Sequence, residues 1–387
     1  MNMIQLISQM DKGQETLMDV KISRKNGKYN LCQKNKTKDK VSELHPDRLN
    51  LKVTDIREVT SDSKVFRFVS ENVYLPPFQA GQYINVFTEI DGVRTSRPYS
   101  ISSSPKQRSY YEITVARIPN GFVSDYFLDE VKVGDTFEGK GPAGNFYYNP
   151  LFHLNNQVFL AGGSGVTPFM SMIREILETG LGREVYLIYG SRNESATLYH
   201  NELIKLDKTY SNFHYTLVVS DKPETSDYVG RVGFIDAKCI KEIVNDIDDC
   251  TYYLCGPQLM YDFCLKEMGS LNIPAKRIRR EVFGARQDIQ NEPGWPKELS
   301  GEEVFKLKVG DKIIDAKSNE PILTSLERAG IKINVCCRSG ECSLCRVKLV
   351  SGRVFQPRGV LLRLADEKFG YIHSCKSYPM GDVEILI

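Results

Sequence analysis

The chain has 387 residues, a formal net charge of +2, 41% hydrophobic residues and 26% charged residues. At roughly 100–200 residues per domain this predicts two or three globular domains, and the near-neutral charge gives no strong field for nucleic acid. No run of about 18 apolar residues occurs, so no membrane span is expected. The opening MNMIQLISQMDKGQETLMD lacks the apolar core of a signal peptide, so the chain is expected to be cytoplasmic.

Residues 1–47 are read as an N-terminal extension, solvated and partly flexible. Positions 21–40 hold eight Lys/Arg against one acid, Asp39, which would also suit an acidic partner.

Residues 48–150 are strand-rich. LKVTDIREVT, KVFRFVS, QYINVFTEI and YEITVAR alternate and are separated by Gly and Pro turns, which predicts an antiparallel β-barrel. Its chemistry-bearing edge is Arg97-Pro98-Tyr99-Ser100. A guanidinium can neutralise a phosphate, a phenol can stack near a flavin ring, and a hydroxyl can hydrogen-bond the ring nitrogen that accepts a hydride. Downstream, GFVSDYFLD places Gly121 and Ser124 at a helix start, where free N–H groups bind pyrophosphate. An ordinary N-cap at Ser124 is the plain alternative.

Residues 151–284 read as an α/β parallel-sheet domain. QVFLAGGSGVTPFMSMIREIL is a buried strand, a glycine-rich turn and a helix, in which Gly162, Gly163 and Gly165 let a phosphate approach. Further βα alternation follows. Cys255-Gly256-Pro257 ends a strand, where ligands bind in open α/β sheets, so Cys255 is a candidate neighbour of a nicotinamide. Buried filler is the other reading of that thiol.

Residues 285–302 are polar, hold Pro293, Pro296 and the single Trp295, and are read as a linker. Residues 303–387 are read as a small α+β (β-grasp) domain: two strands about Gly310, a helix PILTSLERAG, and a strand CRVKLVSG. The cysteines run Cys337-x4-Cys342-x2-Cys345, with Cys375 after 29 further residues. That is the plant-type [2Fe–2S] spacing. Gly340 lets amide N–H groups turn toward sulfur. Using Cys336 would give an x5 spacing, so Cys337 is preferred. A four-cysteine zinc site uses the same thiolates but normally as paired C-x2-C knuckles, of which one exists here.

In order, RPYS, GFVS, AGGSGVTPF, CGPQLM and the cysteine spacing resemble the ferredoxin–NADP reductase superfamily. The likeness covers residues 48–387 and is nearest the oxygenase-reductase type with a C-terminal ferredoxin, such as phenylacetate-oxygenase reductases and hybrid-cluster-protein reductases. The resemblance implies that Arg97, Tyr99 and Ser100, with Val115 and Arg117, hold FAD, with FMN as the variant of a related branch. Gly121, Val123 and Ser124 would cradle its phosphates. Gly162, Gly163, Gly165, Thr167 and Pro168 would receive NADH or NADPH, Ser191 and Arg192 its ribose, and Cys255 and Gly256 the nicotinamide side. Glu281 would sit near the flavin and Phe283 would cover it. Cys337, Cys342, Cys345 and Cys375 would carry the cluster.

The implied activity is an NAD(P)H oxidoreductase that passes electrons through flavin and cluster to a protein acceptor. That acceptor would be a terminal oxygenase, a hybrid-cluster protein or another metalloenzyme. A redox-sensing module with non-catalytic nucleotide sites is the rival from another class. Residues 301–387 carry 14 Lys/Arg against 11 Asp/Glu, unlike acidic plant ferredoxins, so docking through an acidic face is not expected.

Overall fold

The computed structural model describes residues 13–25, 36–44, 46–71, 74–221, 227–282, 284 and 288–387. Phe283 and positions 285–287 of the expected linker lie outside the described residues. So does much of the expected N-terminal extension. Residues 1–46 form a unit of their own, with helices α1 (Gly13–Lys25) and α2 (Lys36–Leu44) where composition suggested only a solvated leader. Lys40 and Glu43 pair at 2.6 Å on α2. No helix among the described residues is long and apolar enough to cross a membrane.

The second unit, residues 47–387, holds three large sheets and a two-stranded one among its described residues. The first comprises β1 (Leu49–Thr60), β2 (Ser63–Ser70), β3 (Tyr83–Ile90), β4 (Val93–Ser100), β5 (Tyr111–Ala116) and β6 (Thr136–Ala143), with α3 (Phe122–Asp129) between β5 and β6. Its order is β4-β3-β6-β1-β2-β5, with every pair antiparallel. A bridge between Ile101 and Ile113 brings the two edges together, closing the barrel. The β3–β4 turn is Asp91-Gly92, at φ 50° and 76°. Positive φ at both positions is what a two-residue hairpin needs. That turn fixes the register that pairs Tyr83 with Ser100 and Val86 with Arg97.

The second sheet comprises β7 (Asn156–Gly162), β8 (Val185–Ser191), β9 (Phe213–Val219), β10 (Arg231–Val232), β11 (Cys250–Cys255) and β12 (Ile278–Glu281). It is wholly parallel, in the order β10-β9-β8-β7-β11-β12. Helices α4 (Thr167–Thr179), α5 (His200–Thr209), α6 (Ala237–Ile243) and α7 (Gln258–Ser270) form the crossovers. Buried stretches such as VFLAG, residues 158–162 of β7, are apolar throughout because both faces are covered. Helix α4 holds the barrel: Ser171 donates to the Ser103 carbonyl and Arg174 to that of Ser102, each at 2.7 Å.

The C-terminal sheet comprises β13 (Val304–Val309), β14 (Lys312–Lys317), β15 (Arg346–Ser351), β17 (Tyr371–His373) and β19 (Val383–Leu386). Helix α8 (Ile322–Arg328) packs on it, and α9 (Leu364–Lys368) follows. The order β14-β13-β19-β15-β17, with β13 and β19 parallel at the centre, is a β-grasp arrangement. A small hairpin pairs β16 (Val354–Phe355) with β18 (Tyr378–Pro379). Segment 288–302, read from composition as a linker, is packed. Ile289 is fully buried, Trp295 is 9% exposed, and both contact Tyr378. The Trp295 ring meets Phe355 edge-on at 5.2 Å, and its indole N–H donates to the Leu299 carbonyl.

Strand alternation decides how the β-grasp meets the barrel. Along β3, Ile84 and Val86 enter the barrel core, which turns Tyr83, Asn85 and Phe87 outward. Tyr83 packs on Cys336 and Cys337, and Phe87 on Leu323, Val335, Cys345 and Cys375. Asn85, fully buried between them, faces the carbonyls of Val335 and Cys336. Beside this contact, Glu327 on α8 accepts from Thr95 on β4 at 2.9 Å and pairs with Arg338.

Two stability predictions follow from this packing. Trp295→Ala removes a buried aromatic and should cost about 3 kcal/mol. It should be read as earlier loss of the cluster's visible circular dichroism in guanidinium, and an unchanged midpoint would show that the segment does not pin the β-grasp. Glu327→Gln strands the buried Arg338 charge and should cost about 3–5 kcal/mol by the same measurement.

Candidate functional site

One cavity of about 470 Å³ opens where the three sheets meet. The barrel contributes Arg97, Pro98, Tyr99, Ser100, Thr114 and Ala116, followed by the run Arg117–Ser124. The glycine-rich turn contributes Ser164 and Thr167. The β-grasp contributes Pro321, Leu323, Thr324, Arg338 and Cys375. Three arginines line it and no carboxylate does, so the cavity suits an anion.

The Arg97 guanidinium donates to Thr95 Oγ1 at 2.9 Å and to the Ser96 carbonyl at 2.8 Å. Burial lowers its pKa to about 10, and the neighbouring Arg338 adds to the shift. Tyr99 is pushed well above the ordinary phenol value by burial, so it remains a neutral hydroxyl. Ser100 is buried at the end of β4. Arg117 is engaged locally, pairing with Asp125 at 2.9 Å and Asp129 at 2.6 Å across α3. Val115 points into the barrel core, and its strand neighbours Thr114 and Ala116 face the cavity instead.

Helix α3 is capped at Gly121, and Ser124 sits in its first turn rather than at the N-cap. The Ser124 hydroxyl accepts from the Ile118 N–H at 3.2 Å and donates to the Gly121 carbonyl at 3.3 Å. A Cβ on Gly121 would lie 2.1 Å from that hydroxyl, so the turn requires glycine. Val123 is buried and lines the cavity floor.

The glycine-rich turn is wedged against the end of β11. A Cβ on Gly165 would lie 2.1 Å from the Cys255 carbonyl oxygen, and one on Gly162 would lie 2.4 Å from Met260 Sδ. Gly163, at φ 52°, has open space around it. Thr167 donates to the Ser164 carbonyl at 2.8 Å, tightening the turn into α4, and Pro168 occupies the first turn of that helix. Cys255 is 1% exposed in the sheet core, and its thiol pKa is raised well above normal by burial and then by Glu281. The Gly256 N–H donates to the Tyr261 hydroxyl at 3.2 Å. Ser191 is buried and donates to the Asn193 carbonyl at 3.0 Å, whereas Arg192 is exposed.

Glu281 ends β12 opposite Cys255. Its Oε2 is buried without a hydrogen-bond partner among the described residues. Burial, then the charge of Glu341, raises its pKa well above the ordinary carboxylate value. Its Oε1 and the Tyr83 ring both crowd the space beside Gly144, where a Cβ would lie 3.6 and 2.9 Å from them.

The cysteine loop supplies the fourth feature. Cys337 meets Cys342 and Cys375, and Cys345 meets Cys375, so the thiols come together as linked pairs. Four thiols brought together in this way fit the four cysteine ligands of a [2Fe–2S] cluster. Cys336 points elsewhere, its thiol 3.9 Å from the Tyr83 hydroxyl. Arg338, Gly340 and Ser343 have φ of 54°, 82° and 59°. This left-handed winding turns the Ser339 and Cys342 N–H groups onto Cys337 Sγ, each at 3.4 Å. The residues therefore fit a flavin phosphate in the cavity and a [2Fe–2S] cluster on the loop.

Thr95, Thr114, Ala116, Tyr83 and Glu327 carry no motif signal and escaped the sequence reading. Tyr83 lies in a strand like any other, and Glu327 reads as a helix-surface charge.

The chain matches the Oxidoreductase FAD-binding domain over residues 50–148, the Oxidoreductase NAD-binding domain over 159–266 and the 2Fe-2S iron-sulfur cluster binding domain over 307–380. It is 27% identical to the glycine betaine monooxygenase reductase subunit of Pseudomonas aeruginosa, across 84% of this chain and 92% of the relative. It is 27% identical to NADH oxidoreductase HCR of Escherichia coli, across 86% and 96%. The solved phthalate dioxygenase reductase superposes with a TM-score of 0.66 at 26% identity, covering 88% of this chain and 98% of that one. With the flavin, nucleotide and iron–sulfur folds in this order, the chain belongs to the ferredoxin–NADP reductase superfamily and carries electrons from NAD(P)H through FAD to a [2Fe–2S] cluster.

Proposed function

We propose that the chain is the NADH-dependent reductase component of a cytoplasmic oxygenase system, with a separate terminal oxygenase as acceptor. The observation that carries the electron path is that Cys375 lines the same cavity as Arg97, Tyr99 and Ser100. The relatives named above as monooxygenase and dioxygenase reductases support the acceptor. The relative named as an NADH oxidoreductase supports the donor.

In this reading residues 48–150 are the flavin domain, 151–284 the nucleotide domain, 285–302 the connection and 303–387 the iron–sulfur domain. Arg97 and the first turn of α3, through Gly121, Val123 and Ser124, hold the flavin phosphates. Pro98, Tyr99 and Ser100 flank the ring, and Thr114 and Ala116 form the strand floor. Arg117 braces α3 through Asp125 and Asp129, and Val115 supports the strand from the core. Bound there, FAD accepts an electron pair and releases single electrons.

Gly162, Gly163, Gly165, Thr167 and Pro168 shape the turn that receives the dinucleotide, and Ser191 and Arg192 lie toward its ribose. Cys255 and Gly256 back the turn from β11. Their contact with Gly165 sets the depth to which the nicotinamide enters. Glu281 lies buried at the end of β12 beside Cys255, toward the flavin. Phe283 is assigned as the ring cover. Cys337, Cys342, Cys345 and Cys375 hold the cluster, and burial by Tyr83 and Phe87 excludes water from that side.

Anaerobic stopped-flow mixing with NADH tests the reading. Flavin absorbance should bleach first and the cluster's paramagnetic signal should follow. A purely regulatory nucleotide site would leave the flavin oxidised. Cys342→Ser should leave the bleaching rate within about twofold of wild type and lower cytochrome c reduction by more than about tenfold. Ferricyanide reduction should be retained, and undiminished cytochrome c reduction would refute the relay order. The kcat/KM for NADH should exceed that for NADPH, in keeping with the relative named as an NADH oxidoreductase.

A further inference from the structure

The cavity has an unexpected wall. Its barrel side carries Arg97, but the second guanidinium at that end, Arg338, comes from the cysteine loop of the β-grasp. Arg338 is 8% exposed despite its charge. Its Nη2 donates to Thr95 Oγ1 at 3.1 Å and pairs with Glu327, whereas its Nε has no partner among the described residues. Arg97 donates to the same Thr95 hydroxyl from the other side. Two cations thus share one neutral anchor, with a single carboxylate, Glu327, nearby. Two like charges packed this way repel, and an anion in the cavity would relieve them. Thr324 and Leu323 of α8 continue the same wall.

We propose that Arg338 is a ligand for the flavin phosphate, so that the iron–sulfur domain completes the flavin site. Arg338 follows the cluster ligand Cys337 with a left-handed backbone, φ 54°, and its side chain lines the cavity. Flavin binding and docking of the β-grasp on the barrel are then linked. FAD bridges Arg97 and Arg338, and each event strengthens the other by the same factor. A consequence is that bound flavin reinforces the seating of the cluster beside it, on top of the contact made by β3. The proposal rests on FAD occupying this cavity, and its test separates the two.

The experiment uses the full-length protein stripped of flavin, titrated with FAD and followed by quenching of flavin fluorescence. Iron content and the reduced-cluster paramagnetic signal serve as a check on folding. A charge-assisted hydrogen bond to phosphate is worth roughly 1.5–3 kcal/mol, so Arg338→Met should weaken FAD binding by about tenfold or more. Arg338→Lys, which keeps the charge, should recover part of that loss. Hydrogen exchange along α8 should slow on adding FAD to wild type and not in Arg338→Met.

An Arg338→Met protein with a full cluster and FAD affinity within twofold of wild type overturns the assignment, provided Arg97→Met has lost its affinity. If Arg97→Met also binds FAD normally, the placement of FAD in this cavity falls with it. Should Arg338→Met fail to assemble its cluster, Thr324→Asp asks the same question from outside the cysteine loop. It sets a carboxylate into the β-grasp wall and should weaken FAD about tenfold, and undiminished affinity there overturns the proposal.

Discussion

The arrangement depends on one buried contact: the outward face of β3 against the cysteine loop. Tyr83, Asn85 and Phe87 share a face because a strand alternates, and their neighbours Ile84 and Val86 are already committed to the barrel core. That face covers Cys336, Cys337, Cys345 and Cys375 with aromatic surface. A register slip of one residue would turn Ile84 and Val86 outward and break both the core and the contact at once. The Asp91-Gly92 turn, which sets the register of β3 on β4, therefore places the cluster as well as the RPYS edge.

The electrostatics follow from where that contact sits. Docking the loop buries Arg338 next to Arg97, supported by Glu327, the Thr95 hydroxyl and, for Arg97, the Ser96 carbonyl. A buried charge is tolerated when it is paired and hydrogen-bonded. Here the pairing is lean on the cavity side, which is the side open to an anionic ligand. Glu281 is the opposite case: it is buried near Glu341, its Oε2 has no hydrogen-bond partner among the described residues, and its pKa is raised accordingly.

The nucleotide half shows how a motif can have a different physical cause from the one first read. AGGSGVTPF looks like a loop opened for phosphate. Two of its three glycines are required instead by the approach of the turn to β11, where Gly165 meets the Cys255 carbonyl and Gly162 meets Met260 and Pro257. Only Gly163 faces open space. The glycines permit the turn to lie flat on the strand end, which in turn positions Ser164 and Thr167 at the cavity.

Much of this was legible in the linear chain. Alternation of apolar residues marks the barrel strands, continuous apolar runs mark the parallel sheet, and the cysteine spacing marks the cluster. Each is a local pattern with a local physical cause. Helix ends were less legible, because Gly121 rather than Ser124 caps α3. Composition also misled at 288–302, where polar residues and prolines hide a segment held by Ile289 and Trp295. Tertiary structure alone decided what lies across the cavity from the RPYS edge. Thr95, Tyr83, Glu327 and Arg338 come from segments hundreds of residues apart, and side chains that meet only after folding leave no spacing to read. The sequence could name the three electron-handling modules, and the packing of one strand face against one loop determined that two of them share a wall.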